Sequence, residues 1–132
     1  MNLPDHLAPG ERRAIEQALQ EVTSQFPIEV RFIALFGSKA RGDFGPESDI
    51  DLLIVRENDD WPTRHAVRAP VYDAAIEHGV FMSVWAIGWE RFQSLPVRRP
   101  GLFANLCRDA IELWRRPGTK NPLKLPEPSL TA

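Results

Sequence analysis

The stretch FGSKARGDFGPESDIDLLIV, Phe36–Val55, places a glycine-serine pair, a basic run and two aspartates between two apolar segments. The apolar segment that leads into it, Ile28–Phe36, is rich in β-branched and aromatic residues, which predicts a strand. Gly37 is predicted to break that strand, and Ser38 is predicted to cap a short helix that runs to Arg41. The sequence therefore predicts a strand, a tight turn and one turn of helix.

A second strand is predicted at Ser48–Val55, after a loop with the turn-forming sequence DFGPE. Side chains alternate between the two faces of a strand, so Asp49 and Asp51 are expected to share one face. The opposite face is expected to carry the apolar side chains of Ile50, Leu52 and Ile54. The pattern thus predicts a pair of carboxylates where a buried strand begins.

Helices and strands alternate on both sides of this stretch. Apolar residues at helical spacing predict a helix after Pro9, and a third strand is predicted at Val80–Ile87. Further helices are predicted at about 64–78, in the sequence WERFQSL and at Leu102–Trp114, with PVRRP as a loop. This order predicts an α/β (α+β) fold, with a small mixed sheet flanked by helices.

The residues of the opening stretch suit phosphate and metal chemistry. Backbone N–H groups where a strand meets a helix can bind an anion, and Ser38, Lys39 and Arg41 add donors and positive charge. Asp49 and Asp51 offer oxygen ligands to Mg²⁺, which would relieve the repulsion between them. A phosphate-binding turn beside an acidic metal site is what metal-assisted nucleotidyl transfer requires.

The spacing of these residues resembles that of a known family. Gly37 and Ser38 are followed by ten residues and then by Asp49 and Asp51. This arrangement resembles the minimal nucleotidyltransferases of the DNA polymerase β superfamily, which share the pattern GSxxRGxxxxxSDIDLLV. The further positions that fit are Arg41, Gly42, Ser48, Ile50, Leu52 and Leu53. The tract FANLCRDAIELW more loosely resembles the last helix of the group, and the resemblance covers about 11–114.

The resemblance implies a polymerase β-like fold and a reaction. A nucleoside triphosphate, ATP or another NTP, would bind with its phosphates on the residues that match the motif, namely Gly37, Ser38, Lys39, Arg41 and Ser48. Asp49 and Asp51 would hold Mg²⁺ and serve as the catalytic carboxylates. The product would be a hydroxyl acceptor that carries a nucleoside monophosphate, with AMP expected.

The resemblance also implies a partner. Domains of this kind resemble the antitoxin of toxin–antitoxin modules, whose partner is a helical HEPN-domain protein. The expected role is neutralisation of that partner, by attachment of nucleotide or by complex formation. These two modes of neutralisation are the first two hypotheses for function. The third is transfer of nucleotide to a small molecule such as an aminoglycoside, although such enzymes usually carry a further domain.

One position departs from the family pattern. Active members commonly carry a third carboxylate on a neighbouring strand, and the aligned position here is Ser83, a poor ligand for Mg²⁺. Three interpretations remain open: two carboxylates and water suffice, a neighbouring acid substitutes, or the domain binds nucleotide without efficient transfer. The candidate substitutes are Asp73, Glu77 and Glu90.

The composition gives no reason to expect a nucleic-acid or membrane partner. The 132 residues carry 16 basic and 18 acidic side chains, a formal net charge of −2. The basic pairs Arg98-Arg99 and Arg115-Arg116 are expected to lie on the solvated surface. Trp85 shares a strand face with Ser83 and is expected to pack in the core. No segment resembles a signal peptide or a membrane span, so a cytoplasmic protein that does not bind DNA is expected.

The expected domain is 1–116, followed by a proline-rich tail at 117–132 that is expected to be disordered or to dock on a partner. The single cysteine, Cys107, lies in an apolar pattern and is expected to be a buried structural thiol.

Overall fold

A computed structural model of the chain describes residues 3–43, 45 and 48–124. Its sheet has the strand order β3-β2-β1-β4, in which β1 is antiparallel to β2 and β4, and β2 is parallel to β3. The strands are β1 (Val30–Phe36), β2 (Ile50–Arg56), β3 (Met82–Gly88) and β4 (Ile111–Arg115). This mixed sheet confirms the predicted fold class.

Helices cover both faces of the sheet. The helices are α1 (Pro9–Gln25), α2 (Ser38–Arg41), α3 (Trp61–His78), α4 (Trp89–Arg98) and α5 (Pro100–Asp109). The apolar faces of α1 and α3 pack in one core, beneath one face of the sheet. Side chains of α4 and α5 pack in a second core on the opposite face. No helix among the described residues is long and apolar enough to cross a membrane.

The central strand β2 divides its side chains between these cores. Ile50, Leu52 and Ile54 lie in the first core, whereas Leu53 and Val55 lie in the second. Asp51 is on the same face as the second pair, because side chains alternate along the strand. The predicted separation from the buried apolar row is confirmed for Asp51, whereas Asp49 precedes the strand rather than lying on it.

The predicted helix over Leu102–Trp114 is wrong in its second half. Helix α5 ends at Asp109, and the following residues form β4, in which Ile111 pairs with Leu35 of β1. Apolar residues at helical spacing continue past position 109, so the local pattern favoured a helix. The free edge of β1 offers backbone partners along its whole length, and strand pairing there buries Leu113.

Two other helices are longer than predicted. Helix α3 begins at Trp61 rather than near 64, because the Asp60 carboxylate accepts a hydrogen bond from the Thr63 backbone N–H at 3.1 Å and caps the helix. Pro70 lies inside α3 without ending it. Helix α4 likewise continues to Arg98 through a segment that was predicted as a loop.

The cysteine and part of the tail also differ from expectation. Cys107 is exposed, because α5 directs the preceding Leu106 into the second core and turns the next side chain outward. Leu123 is buried in that same core, so the segment after residue 116 packs on the domain as far as 123. The predicted disorder of 125–132 falls outside the described residues, and the predicted boundary at 116 remains a prediction.

Glu57 connects three strands at the end of the sheet that lies away from the glycine turn. Its Oε1 accepts hydrogen bonds from Arg31 of β1 at 2.8 Å and from Arg116, which follows β4, at 2.7 Å. Arg116 is therefore an ion-pair residue rather than the solvated surface that was expected. Burial acts to raise the pKa of Glu57, but the two guanidinium hydrogen bonds outweigh it and the net pKa is lowered from 4.5.

We expect Glu57→Gln to lower the free energy of unfolding by about 1 kcal/mol at pH 7. A carboxylate whose folded pKa lies below its unfolded pKa stabilises the protein fully above the unfolded value and loses that effect as the pH falls. The difference from wild type should therefore shrink below about pH 4.5, the ordinary pKa of this group. Urea unfolding between pH 3 and pH 7 measures it. Glu16→Gln on the exposed face of α1 is the control, and an equal loss in both variants would contradict the assignment.

Candidate active site

The site is built around Gly37, which ends β1 and precedes the single-turn helix α2. Its φ of +76° lies in the left-handed region, where residues with a side chain are strained. A Cβ at this position would overlap Oδ2 of Asp51. Gly37, rather than the predicted Ser38, is the N-cap residue of α2, and Ser38 is its first helical residue. The backbone turn is thus packed directly against a carboxylate.

Three neighbouring strands contribute one row of side chains to this site. Phe36 of β1 lies opposite Asp51 of β2, and Asp51 lies opposite Ser83 of β3. The Ser83 hydroxyl donates a hydrogen bond to Asp51 Oδ1 at 3.1 Å. Asp49 is exposed just before β2 begins. The position predicted for a third carboxylate is therefore in contact with Asp51, and it carries a hydroxyl.

The two aspartates have different surroundings. Asp51 is half-buried, and burial raises its pKa above the ordinary value of 3.8. The hydrogen bond from Ser83 opposes this shift, the nearby charge of Asp49 adds to it, and the charge of Arg41 opposes it. Repulsion between two neighbouring carboxylates is relieved when a cation binds between them. These hard oxygen donors, one of them open to solvent, fit Mg²⁺.

The acids that were considered as substitutes for Ser83 do not gather at this row. Glu77 accepts a hydrogen bond from Gln17 of α1 at 2.6 Å, on the far side of α3. Asp73 is exposed on α3, and Glu90 lies in the first turn of α4, beyond the other end of β3. Within the described ranges, no group of three or more His, Cys, Asp or Glu side chains could hold a metal ion.

Two residues predicted to contact phosphate have other partners. The Lys39 ammonium is buried and lies 2.9 Å from a carboxylate oxygen of Glu11 on α1, so it fastens α2 to α1. The Ser48 hydroxyl accepts a hydrogen bond from the Gly45 backbone N–H at 3.0 Å and closes the turn before β2. The sequence shows no sign of either contact, because each depends on how the loop and α1 fold back.

Arg41 remains near the turn, in a cleft of about 140 Å³ between α2 and α5. The cleft is lined by Phe36, Gly37, Arg41, Leu102, Asn105, Leu106 and Asp109. The Arg41 guanidinium lies 3.9 Å from Asp109, and its Nε–H donates a bifurcated hydrogen bond to the two carboxylate oxygens of Asp43, each at 3.1 Å. Asn105 and Asp109 were not predicted as site residues, although both lie in the FANLCRDAIELW tract.

Comparison with known proteins gives a family and several relatives. The family described as "Nucleotidyltransferase domain" matches residues 15–81, just over half of the chain. The chain is 45% identical over 50 residues to a protein of Methanocaldococcus jannaschii named "Putative protein adenylyltransferase", covering 38% of this chain and 50% of that one. It is 35% identical over 81 residues to a bifunctional uridylyltransferase/uridylyl-removing enzyme of Bordetella pertussis, covering 58% of this chain and 9% of the enzyme. The chain thus spans half or less of these relatives.

Two solved structures share the fold. A "putative nucleotidyltransferase" from Sulfolobus solfataricus superposes with a TM-score of 0.50 at 20% identity, covering 85% of this chain and 92% of that one. A toxin–antitoxin structure with AMP-PNP gives a TM-score of 0.51 at 18% identity, covering 76% of this chain and 73% of that one. At these identities the likeness shows the fold alone.

We expect Gly37→Ala to destabilise the protein more than Gly79→Ala does. Both glycines have positive φ, but Gly79 lies in the αL region, where alanine costs about 1–2 kcal/mol of backbone strain, and a Cβ there meets open space. Gly37 combines its positive φ with an extended ψ, a conformation that is essentially restricted to glycine. The additional loss at Gly37 reports this backbone conformation together with the overlap with Asp51. Urea unfolding of both variants measures the difference, and equal losses would mean that the turn and the carboxylate are not in contact.

Proposed function

Because the chain belongs to the nucleotidyltransferase domain family, we propose that it transfers AMP from ATP, with Mg²⁺, to a hydroxyl of a HEPN-type partner protein. In this role it acts as an antitoxin that modifies its partner. The single observation that carries the proposal is the packing of the Gly37 turn against Asp51, with Asp49 beside it.

The chain's own residues supply the parts that the reaction needs. The oxygens of Asp49 and Asp51 are the ligands for Mg²⁺, which when bound offsets charge on the triphosphate and polarises the reacting phosphoryl group. Gly37 keeps the proposed phosphate-binding turn against the proposed metal ligand, since a side chain there would displace Asp51. Ser38 and Arg41 stand at the two ends of α2 and add a hydroxyl and a positive charge.

The reaction balances without a further reagent. The acceptor oxygen forms a bond to the α-phosphorus, the bond between α-phosphorus and the bridging oxygen breaks, and pyrophosphate leaves with that electron pair. The acceptor proton passes to solvent. Ser83 cannot take it as a base at neutral pH, so this chain relies on the two aspartates to position the reactants. The cleft beside Arg41, of about 140 Å³, opens at Gly37 and is the place we propose for part of the nucleotide.

The acceptor is proposed to be a protein on two grounds. The Methanocaldococcus jannaschii relative is named as a protein adenylyltransferase, although the match covers half of that protein. The pattern of the opening stretch resembles antitoxins whose partner is a HEPN-domain protein, and a toxin–antitoxin structure shares the fold.

The alternative is a binding module that neutralises its partner without transfer. The observation that favours it is Ser83, which occupies the third-carboxylate position and hydrogen-bonds Asp51 instead of offering a charge. Under this alternative, the complex with the partner forms in the absence of nucleotide, and neither protein gains mass in the presence of Mg²⁺ and ATP.

We expect the double variant Asp49→Asn/Asp51→Asn to lose transfer by about 100-fold or more, since metal stabilisation of the transition state contributes several kcal/mol. Intact mass spectrometry of both chains, after incubation with Mg²⁺ and ATP, measures whole AMP units on the partner. Asp73→Asn, on the exposed surface of α3, is the matched control and should retain activity. AMP transfer that persists in the double variant would contradict the proposal.

We expect Ser83→Asp to raise the transfer rate roughly tenfold or more by restoring a third carboxylate. The added charge also repels Asp51, so the variant should melt at a lower temperature than wild type without Mg²⁺ and recover when Mg²⁺ is added. Ser83→Asn has a similar size and no charge, and it should show neither effect. A folded Ser83→Asp variant with no gain in rate would mean that the missing ligand does not limit the reaction.

A further inference from the structure

A second cleft, of about 220 Å³, lies between β3 and the C-terminal half of α4. We call it the arginine cleft, and its lining includes Trp85, Arg91, Ser94, Leu95, Arg98 and Arg99. The walls combine an aromatic ring, aliphatic side chains and three guanidinium groups. The sequence-based expectation for the arginine pair was solvated surface, which does not account for its place in a concave wall beside a tryptophan.

The charges of this cleft are only partly balanced. Arg91 forms an ion pair of 3.2 Å with Asp59, which also accepts a hydrogen bond from the buried Arg56. For Arg98 and Arg99, the described part of the chain offers no carboxylate within ion-pair distance, and both are exposed. Arg98 lies in the last turn of α4, where its positive charge interacts favourably with the helix dipole. That interaction leaves the hydrogen-bond donors of the guanidinium available to a ligand. Two positive charges therefore face the cleft without an acidic partner among these residues.

The arginine cleft lies next to the row of Phe36, Asp51 and Ser83, which we call the acid row. Trp85 lies two residues after Ser83 on β3, so the two side chains share a face. The Trp85 ring packs edge-on against Phe36 at 6.2 Å between centroids, and Phe36 also lines the cleft that holds Arg41. The cleft that holds Arg41 thus adjoins the acid row at Phe36, and the arginine cleft adjoins it at Trp85. A donor in the first cleft and an acceptor in the second would both lie near the carboxylates.

We propose that the arginine cleft binds an acidic segment of the acceptor protein and so presents the acceptor hydroxyl to the carboxylates. This inference rests on the proposed function and names the chemistry of the acceptor. Planar guanidinium groups bind carboxylates through paired hydrogen bonds, and a half-buried tryptophan gives the peptide backbone an apolar surface.

The size and charge of the cleft favour a peptide over a nucleic acid. Nucleic-acid sites follow several phosphates along an extended basic surface, and the proteins that carry them are usually basic. Here two unpaired arginines occupy one short cleft, and the whole chain has a net charge of −2. The charge of such a site matches that of a short acidic peptide segment.

The test uses fluorescence anisotropy with the full chain and three labelled probes: octaglutamate, a serine-glycine octapeptide and octauridylate RNA. Arg98→Ala/Arg99→Ala should weaken binding of octaglutamate at least tenfold. Arg13→Ala/Lys120→Ala, which removes two exposed basic residues outside the cleft, is the matched control and should bind as wild type does. Asp49→Asn/Asp51→Asn should bind no more weakly than wild type, so this readout does not depend on transfer.

Several results would overturn the inference. Octauridylate that binds more tightly than octaglutamate, and is lost in the Arg98/Arg99 variant, would make the cleft a nucleic-acid site. If the Arg98/Arg99 and Arg13/Lys120 variants weaken binding of octaglutamate equally, net charge alone attracts the peptide. If wild type does not bind octaglutamate at 50 mM salt, there is no such site. Failure of AMP transfer with intact octaglutamate binding would instead contradict the proposed function alone.

Discussion

The contact between the Gly37 turn and the carboxylate of Asp51 is the constraint on which the site depends. A glycine with positive φ reverses the chain at the end of β1 without a Cβ, and the space left free is taken by Asp51 Oδ2. The same close approach holds the backbone of a candidate phosphate-binding turn beside a candidate metal ligand. Burial raises the pKa of that aspartate, which disfavours its charged form, and a cation bound there would offset that cost.

Around this contact, the helices cover both faces of the sheet but leave clefts on the face that carries Asp51. Helices α1 and α3 close the first face, whereas α4 and α5 cover the second beside the acid row. The clefts on this second face include one with Arg41 and Asp109 that reaches the acid row at Phe36 and one with the arginine pair that reaches it at Trp85. The buried contact of Lys39 with Glu11 also supports the site, because it fixes α2 to α1 and so holds the Gly37 turn in place.

Local sequence determined the parts of the fold that were predicted correctly. The alternation of Asp49 and Asp51 with Ile50 and Leu52 specifies a strand with one polar end, and the glycine-serine spacing specifies the turn. The parts that were missed depend on residues distant in the chain. Strand β4 forms because β1 has a free edge, and Arg116 is ordered because Glu57 lies opposite. The roles of Lys39 and Ser48 likewise depend on tertiary contacts.

The row of Phe36, Asp51 and Ser83 joins residues from three strands, and its last hydrogen bond connects positions 32 residues apart. A slip of β2 by one residue would turn both aspartates into the first apolar core and carry Leu52 outward. The parallel pairing of β2 with β3 also requires the chain to cross over through α3, which connects the two strands. The contact of Gly37 with Asp51 needs only β1 and β2, but the complete row, with the hydroxyl of Ser83 on Asp51, exists only once β3 has joined the sheet in register.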